Sequence, residues 1–421
     1  MLDRSYKKDP YTLVMLTLDA HSIGSVERIK SRFSKIYPEL EIIVHAAASW
    51  EEDPSSLRKT KEDLARANMV LITLVFLEDH ISAILPDLKK AREKCDLMLG
   101  LVSSKEIVNL TKMGGLDMSK PSSGVLKFLK KLRGDKNKVT GGEKQMAILR
   151  QIPKVLKFIP GKAQDLRAYF LSMQYWLAGS EENIESLFCY LLSRYSSIHN
   201  SSKVEIKSPV EYPETGLYHP DIPKKITENI SEIPFAKHSI GTVGLLLMRS
   251  YVLSGDTAHY DQVIRSLEAQ GLKVIPAFAA GLDARPAINK YFVQNAKASI
   301  DTFLSLTGFS LVGGPAYNSS KAAEEALAEL DVPYIAAHAI EFQNLNQWDK
   351  SDGGLNPIET TILVSLPELD GATNPTVFGG RLGEEGGCSC CVQLRTGNEK
   401  AFDMVPCCLL YTSPSPRDNR T

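Results

Sequence analysis

Short continuous apolar runs alternate along this chain with runs whose apolar residues recur at helical spacing. That alternation predicts successive α/β units. The clearest example runs from Gly241 to Phe278. Val243–Met248 is short and wholly apolar, as a strand buried on both faces should be. Ser254, Gly255 and Asp256 bring turn and N-cap chemistry, because a short oxygen side chain accepts from the first free helical N–H groups. Tyr260, Val263, Ile264 and Leu267 then fall on one helical face. Gly271 suits a helix end that needs positive φ, and Leu272–Phe278 reads as a second strand. Strand, helix and strand in this order predict a parallel βαβ unit.

The N-terminal region repeats the pattern. Strands are expected at Thr12–Leu18, Leu40–His45, Met69–Phe76 and Leu97–Val102. Between them lie a helix capped by Ser22 with Val26, Ile29, Phe33 and Ile36 inward, a helix opened by Asp53-Pro54, and a helix carrying Ile81, Ile84, Leu85 and Leu88. Pro86 should kink or restart that last helix. From Lys144 to Tyr195 the spacing is helical throughout, with Gly179-Ser180 as a stop and a new cap. The aromatic residues Tyr169, Phe170, Tyr175 and Trp176 sit at helical spacing, which favours core packing over a flat-ligand site. Residues 196–235, rich in Ser and Pro, read as a connector. Beyond the βαβ unit come a helix near Ala287–Asn295, a strand Ser305–Val312 ending in Gly313-Gly314-Pro315, a helix carrying Ala323, Ala326, Leu327 and Leu330, and a strand Val332–Ala337.

The fold class is therefore α/β: two successive open parallel-sheet regions joined by a helical segment and a Pro/Ser-rich connector. The domains are drawn as 1–145, 146–205, 206–383 and a Cys-rich tail, 384–421.

Composition narrows the function. The 421 residues are 24% charged and 43% hydrophobic with net charge -1, an ordinary globular balance. It gives no electrostatic case for nucleic acid or an anionic membrane. The lysines of KFLKKLRGDKNK are accordingly read as a solvated helix face. No apolar run approaches the ~20 residues of a transmembrane helix, and the start lacks a signal-peptide core. Cys95 and Cys189 are isolated and expected to be buried. Cys388, Cys390, Cys391, Cys407 and Cys408 crowd the tail in a spacing that fits no tetrahedral zinc pattern.

The sequence contains no G-x-x-x-x-G-K-[ST], no G-x-G-x-x-G after a strand, no H-E-x-x-H and no G-x-S-x-G. Three loops at strand ends remain as candidates. Arg249, Asp256 and His259 border a helix N-terminus that could hold a carboxylate or a metal-bound ligand, or simply form a capping loop with a surface histidine. Gly313 and Gly314 permit close backbone approach to a ligand, or a tight turn. His338 with Glu341 is a candidate metal pair.

Six stretches carry a resemblance to a known family: FIPGKAQDLRAYFLSMQYWLAGSEENIESLFCYLLSRY (158–195), VEYPETGLYHP (210–220), SGDTAHYDQVIRSLEAQGLKVIPAFAAGLD (254–283), SLTGFSLVGGPA (305–316), LDVPYIAAH (330–338) and LPELDGATNPTVFGGR (366–381). The chain resembles the amino-terminal third of the large, porphyrin-binding subunit of magnesium chelatase, related to the cobalt chelatase large subunit, over about residues 10–383. The region before residue 195 is nearer the magnesium branch.

The resemblance implies protoporphyrin IX and Mg2+ as substrates and insertion of the ion on the path to chlorophyll or bacteriochlorophyll. It implies ATP hydrolysis by the AAA+ partner subunits I and D, in keeping with the missing phosphate-binding loop. The setting would be a phototroph's cytoplasm, or plastid stroma if a transit peptide is missing. Catalytic residues are expected beyond the end of this chain, which alone should be inactive. The tail after Gly383 departs from the family and reads as frame-shifted or vector-derived. The alternatives are a non-catalytic tetrapyrrole-binding regulatory module and a cobalt chelatase-like large subunit.

Overall fold

The computed structural model describes residues 10–18, 23–50, 54–120, 152–153, 156–198, 205–235, 238–314, 317–372, 375–381 and 394–396. The Ser22 and Asp53 caps, the lysine-rich run and the tail cysteines lie outside these residues. The chain divides into two units, residues 1–211 and 212–421.

In the first unit four apolar runs form parallel strands: β1 (Tyr11–Thr17), β2 (Leu40–Ala46), β3 (Met69–Thr73) and β4 (Leu97–Leu101). Two short antiparallel strands, β5 (Lys112–Met113) and β6 (Leu116–Asp117), extend the sheet to the order β2-β1-β3-β4-β5-β6. Every residue of β1, β3 and β4 is buried, because helices cover both faces. Helix α1 (Ile23–Ile36) and the later α5 (Lys162–Ala178) and α6 (Glu181–Tyr195) pack with Leu13, Met15, Leu71 and Leu99. Helices α2 (Pro54–Arg66) and α3 (Glu78–Lys94) pack with Val14, Leu16, Val70 and Ile72 on the other face. A short helix, α4 (Lys105–Val108), follows β4.

The strand alternation thus sorts the two cores, and the 162–195 helices complete one of them. Arg32 clamps α1 to α6 through Glu181 at 2.6 Å and Glu185 at 2.7 Å. Gly179 ends α5 at φ 66°, and Ser180 caps α6, as expected. Helix α3 runs through Pro86 without a restart. Both Pro86 and Ser82 are exposed, so water can serve the carbonyl that proline leaves without a donor. β3 stops at Thr73, where Leu74 turns the chain at φ 60°.

The second unit is built on β9 (Gly241–Met248) and β10 (Leu272–Ala279), parallel from Gly241↔Leu272 to Met248↔Ala279. Its eight-stranded sheet has the order β18-β17-β16-β13-β9-β10-β7-β8. The other members are β7 (Thr215–Tyr218), β8 (Ile226–Thr227), β13 (Thr302–Ser305), β16 (Tyr334–Asn344), β17 (Thr376–Arg381) and β18 (Leu394–Thr396). Two small ribbons, β11–β12 (Val293–Gln294, Lys297–Ala298) and β14–β15 (Gly313–Gly314, Tyr317–Asn318), lie apart from it.

Helix α7 (Arg249–Ser254) and α8 (Ala258–Ala269) follow β9, α9 (Arg285–Tyr291) follows β10, and α10 (Ser320–Leu330) precedes β16. Tyr260, Val263, Ile264 and Leu267 of α8 pack on Val243, Leu245 and Leu247. Ala287 and Ile288 of α9 and Ala323 of α10 pack on Leu246, Ile275 and Phe303 across the sheet. Gly271 follows α8 at φ 82°, as its position predicts.

Three expectations shift. Ser254, Gly255 and Asp256 do not cap α8, because the chain first coils into α7, which Gly255 ends at φ 74°. The proline-rich connector supplies the antiparallel edge strands β7 and β8, the place in a sheet that tolerates nearby prolines. The run Ser305–Val312 is not a strand. The ladder occupies Thr302–Ser305, and the following apolar residues pack as a loop with Leu306 and Leu311 buried.

Candidate functional site

In a parallel sheet, ligands lodge at the carboxyl edge where neighbouring strands send their connections in opposite directions. Here that point lies between β9, which leads to β10, and β13, which leads away to β16. The two edges are stitched by Leu306 N–H donating to Leu246 O at 2.9 Å. The loops singled out in the sequence leave from these strands.

The loop after β9 is a packing device. Arg249 donates through Nε to Pro213 O and through Nη2 to Tyr212 O, each at 3.2 Å, fixing the connector against the strand end. Asp256 is buried, with its N–H directed at Ser254 Oγ, 3.4 Å away. His259 is buried among aromatic rings, with centroids 3.9 Å from Tyr260, 5.1 Å from Tyr251 and 6.0 Å from Phe378. Tyr260 Oη in turn accepts from Met248 N–H at 3.2 Å. Phe378 reaches His259 through a register shift. His338 pairs with Val377 and Ala339 with Gly379, which leaves Phe378 as the extra residue of a bulge.

The loop after β13 is more open in its chemistry. Ser305 Oγ and Thr307 Oγ1 lie 3.0 Å apart. Gly308 follows at φ 73°. A Cβ there would stand 2.8 Å from Leu363 Cδ2 and 3.3 Å from His338 Cβ, so only glycine fits. Asp370 holds the rest of the loop, accepting from Leu311 N–H at 2.7 Å and Ser310 Oγ at 3.1 Å. Burial raises its carboxyl pKa against the lowering effect of those two donors. Gly313 and Gly314 form a hairpin with Tyr317 and Asn318. Gly313 adopts φ 122°, and its N–H donates to Leu282 O at 2.6 Å, tying this loop to the one after β10.

His338 sits on β16 with 1% of its surface exposed. Among the described residues neither ring nitrogen has a hydrogen-bond partner. Burial alone pushes its pKa down to about 4, so the imidazole is neutral at pH 7. Leu363, the neighbour across Gly308, belongs to a π-helical turn, Thr360–Ser365, a rare element that often marks functional sites. Glu341 opens residues 341–343, which have no register partner on β17, and its side chain lies outside the described residues. Among the described residues no group of three or more His, Cys, Asp or Glu is placed to hold a metal ion.

The edge is therefore a hydroxyl- and imidazole-bearing patch walled by apolar side chains. Of the sequence candidates, His338 joins it, while Arg249 and His259 serve the adjacent packing and Gly313-Gly314 the outer loop. Gly308, Leu363, Asp370 and Phe378 went unrecognised. The Thr307-Gly308 turn, set in an apolar run, was the one available sign.

Two family descriptions match the chain: CobN/Magnesium Chelatase over residues 173–400 and a domain of unknown function, DUF3479, over residues 12–170. The first match runs past Gly383, where the resemblance read from the sequence ends. The chain is 54% identical over 390 residues to the magnesium-chelatase H subunit of Cereibacter sphaeroides, covering 91% of this chain and 33% of that protein. It is 36% identical over 333 residues to the chloroplastic magnesium-chelatase large subunit, ChlH, of Oryza sativa subsp. indica, covering 76% and 24%. The chain thus spans about a third or less of these curated relatives. Among solved structures, the catalytic subunit of cobaltochelatase from Mycobacterium tuberculosis shares the fold, with TM-score 0.51 and 15% identity over 94% of this chain and 26% of that one.

Proposed function

This chain belongs to the CobN/magnesium chelatase family, and from that premise we propose that it works as part of a magnesium-chelatase large subunit. In this reading it helps to hold protoporphyrin IX while Mg2+ is inserted, on the way to chlorophyll or bacteriochlorophyll. The likeness to magnesium-chelatase large subunits along nearly the whole chain carries the reading.

Insertion requires Mg2+ to shed tightly held water and a base to remove two pyrrole protons. His338, neutral down to about pH 4, suits contact with a ligand better than proton abstraction at neutral pH. The base and the Mg2+ carboxylates are therefore assigned to other parts of the larger protein. AAA+ subunits I and D would supply ATP hydrolysis. The setting would be bacterial cytoplasm or plastid stroma. No helix among the described residues is long and apolar enough to cross a membrane.

Titrating the chain with protoporphyrin IX, followed by the Soret band and by Trp176 and Trp348 fluorescence, tests this. Saturable binding is expected, and its absence would sink the reading. With partner subunits, ATP and Mg2+ added, no Mg-protoporphyrin fluorescence is expected from this chain. Its appearance would overturn the assignment of the base elsewhere.

A further inference from the structure

Paired residues of parallel strands point to the same face, and Ser305 pairs with Ala336. Tyr334, His338 and Ser305 therefore share one face of the sheet edge, opposite the face on which Ala337 and Ala339 pack. Gly308 lies against His338 on this edge, and Thr307 Oγ1 lies against Ser305 Oγ. The patch offers an imidazole whose two nitrogens have no partner among the described residues, the Ser305 and Thr307 hydroxyls and the Tyr334 hydroxyl. These groups can all donate, and no side chain among them is permanently cationic. A buried polar group without a partner costs about 1–3 kcal/mol, which a ligand that pairs it would recover.

We propose that this patch takes a carboxylate group of an organic acid and that His338 takes up a proton as the acid's anion binds. The incoming oxygens accept from the hydroxyls and from the imidazolium. The proton comes from solvent, so the patch stays neutral overall. Glu341 lies three residues along the chain, and the buried acidic side chains of the segments after β16 are Glu359 and Asp370. Glu359 Oε1 accepts from Gln343 N–H at 3.2 Å, and Asp370 is engaged by Ser310 and Leu311. Burial is the cause of the imidazole's lowered pKa.

The inference rests on the proposed function, because protoporphyrin IX carries two propionates, and it identifies the group of that ligand this edge would meet. It is tested on the full chain labelled with 15N-histidine, using propionate and protoporphyrin IX as separate probes. Propionate should move the His338 ring signals from neutral to cationic near pH 6. Affinity should fall about tenfold per pH unit between the free and the bound pKa of His338 and level off above the bound value. H338Q should remove that pH dependence, and S305A with T307V should weaken binding without removing it.

A His338 that stays neutral at saturating propionate, or an H338Q chain with the wild-type pH profile, would overturn the proposal. Porphyrin binding without His338 protonation would leave the proposed function standing and sink this inference. Propionate binding with protonation but no porphyrin binding would do the reverse.

Discussion

Each unit buries a histidine on a parallel strand, and the two are treated differently. His45, on β2, meets Asp63 at 3.0 Å, and Asp63 is held in turn by Arg66 at 2.8 Å. His338, on β16, meets no polar partner among the described residues. Burial lowers the pKa of both, and only at His45 does a carboxylate pull it back up. The backbones differ in the same sense. The first sheet edge turns through Leu74 at φ 60° and Val102 at φ 44°, locked by Leu74 N–H donating to Val102 O at 3.1 Å. The second edge turns through glycine, at Gly308 and Gly313. The His45 account is closed through Asp63, while that of His338 stays open among the described residues, beside a glycine that lets neighbours close in.

The comparison breaks most readily at Gly308. G308A places a Cβ against Leu363 and forces a side chain into a left-handed conformation. We expect a loss of about 2–4 kcal/mol by urea unfolding, from the strain and overpacking together. A loss below about 1 kcal/mol would show that the tight fit is not real.

Acid titration separates the two histidines more gently. The folded pKa of His338 lies near 4, below the unfolded value near 6.5. The unfolded chain then binds the extra proton, so stability is full above pH 6.5 and falls as pH drops toward 4, by roughly 3 kcal/mol at most. His45 adds a loss of the same sign. H338L should flatten part of this slope, and an unchanged slope would contradict the neutral, unpaired assignment.

The smallest effects sharpen the contrast at pH 7. D63A strands the His45 imidazole and should cost about 1–3 kcal/mol, whereas H338L should change stability by less than about 1 kcal/mol in either direction. Equal losses from the two variants would erase the distinction.

Much of this molecule was legible in the chain. The spacing of Tyr260, Val263, Ile264 and Leu267 predicts the face that α8 buries, and Gly179-Ser180 and Gly271 mark real helix ends. The loop after β13 was misread because Leu306 and Leu311 are apolar for packing, which periodicity does not distinguish from a strand. The Arg249 and His259 candidates were read by residue type, and type does not reveal that the guanidinium is spent on two carbonyls or that the imidazole is walled by rings.

By itself the sequence determined the α/β class, the parallel βαβ unit and the family likeness, because these rest on local spacing and on runs of matching residues. Only the tertiary structure decided that Gly308, Leu363 and His338 meet, and that a bulge carries Phe378 onto His259. Those contacts depend on which strands become neighbours and on where their ladders slip. Both are settled by closing the two cores around the sheet, a condition on the whole unit that no single stretch of residues contains.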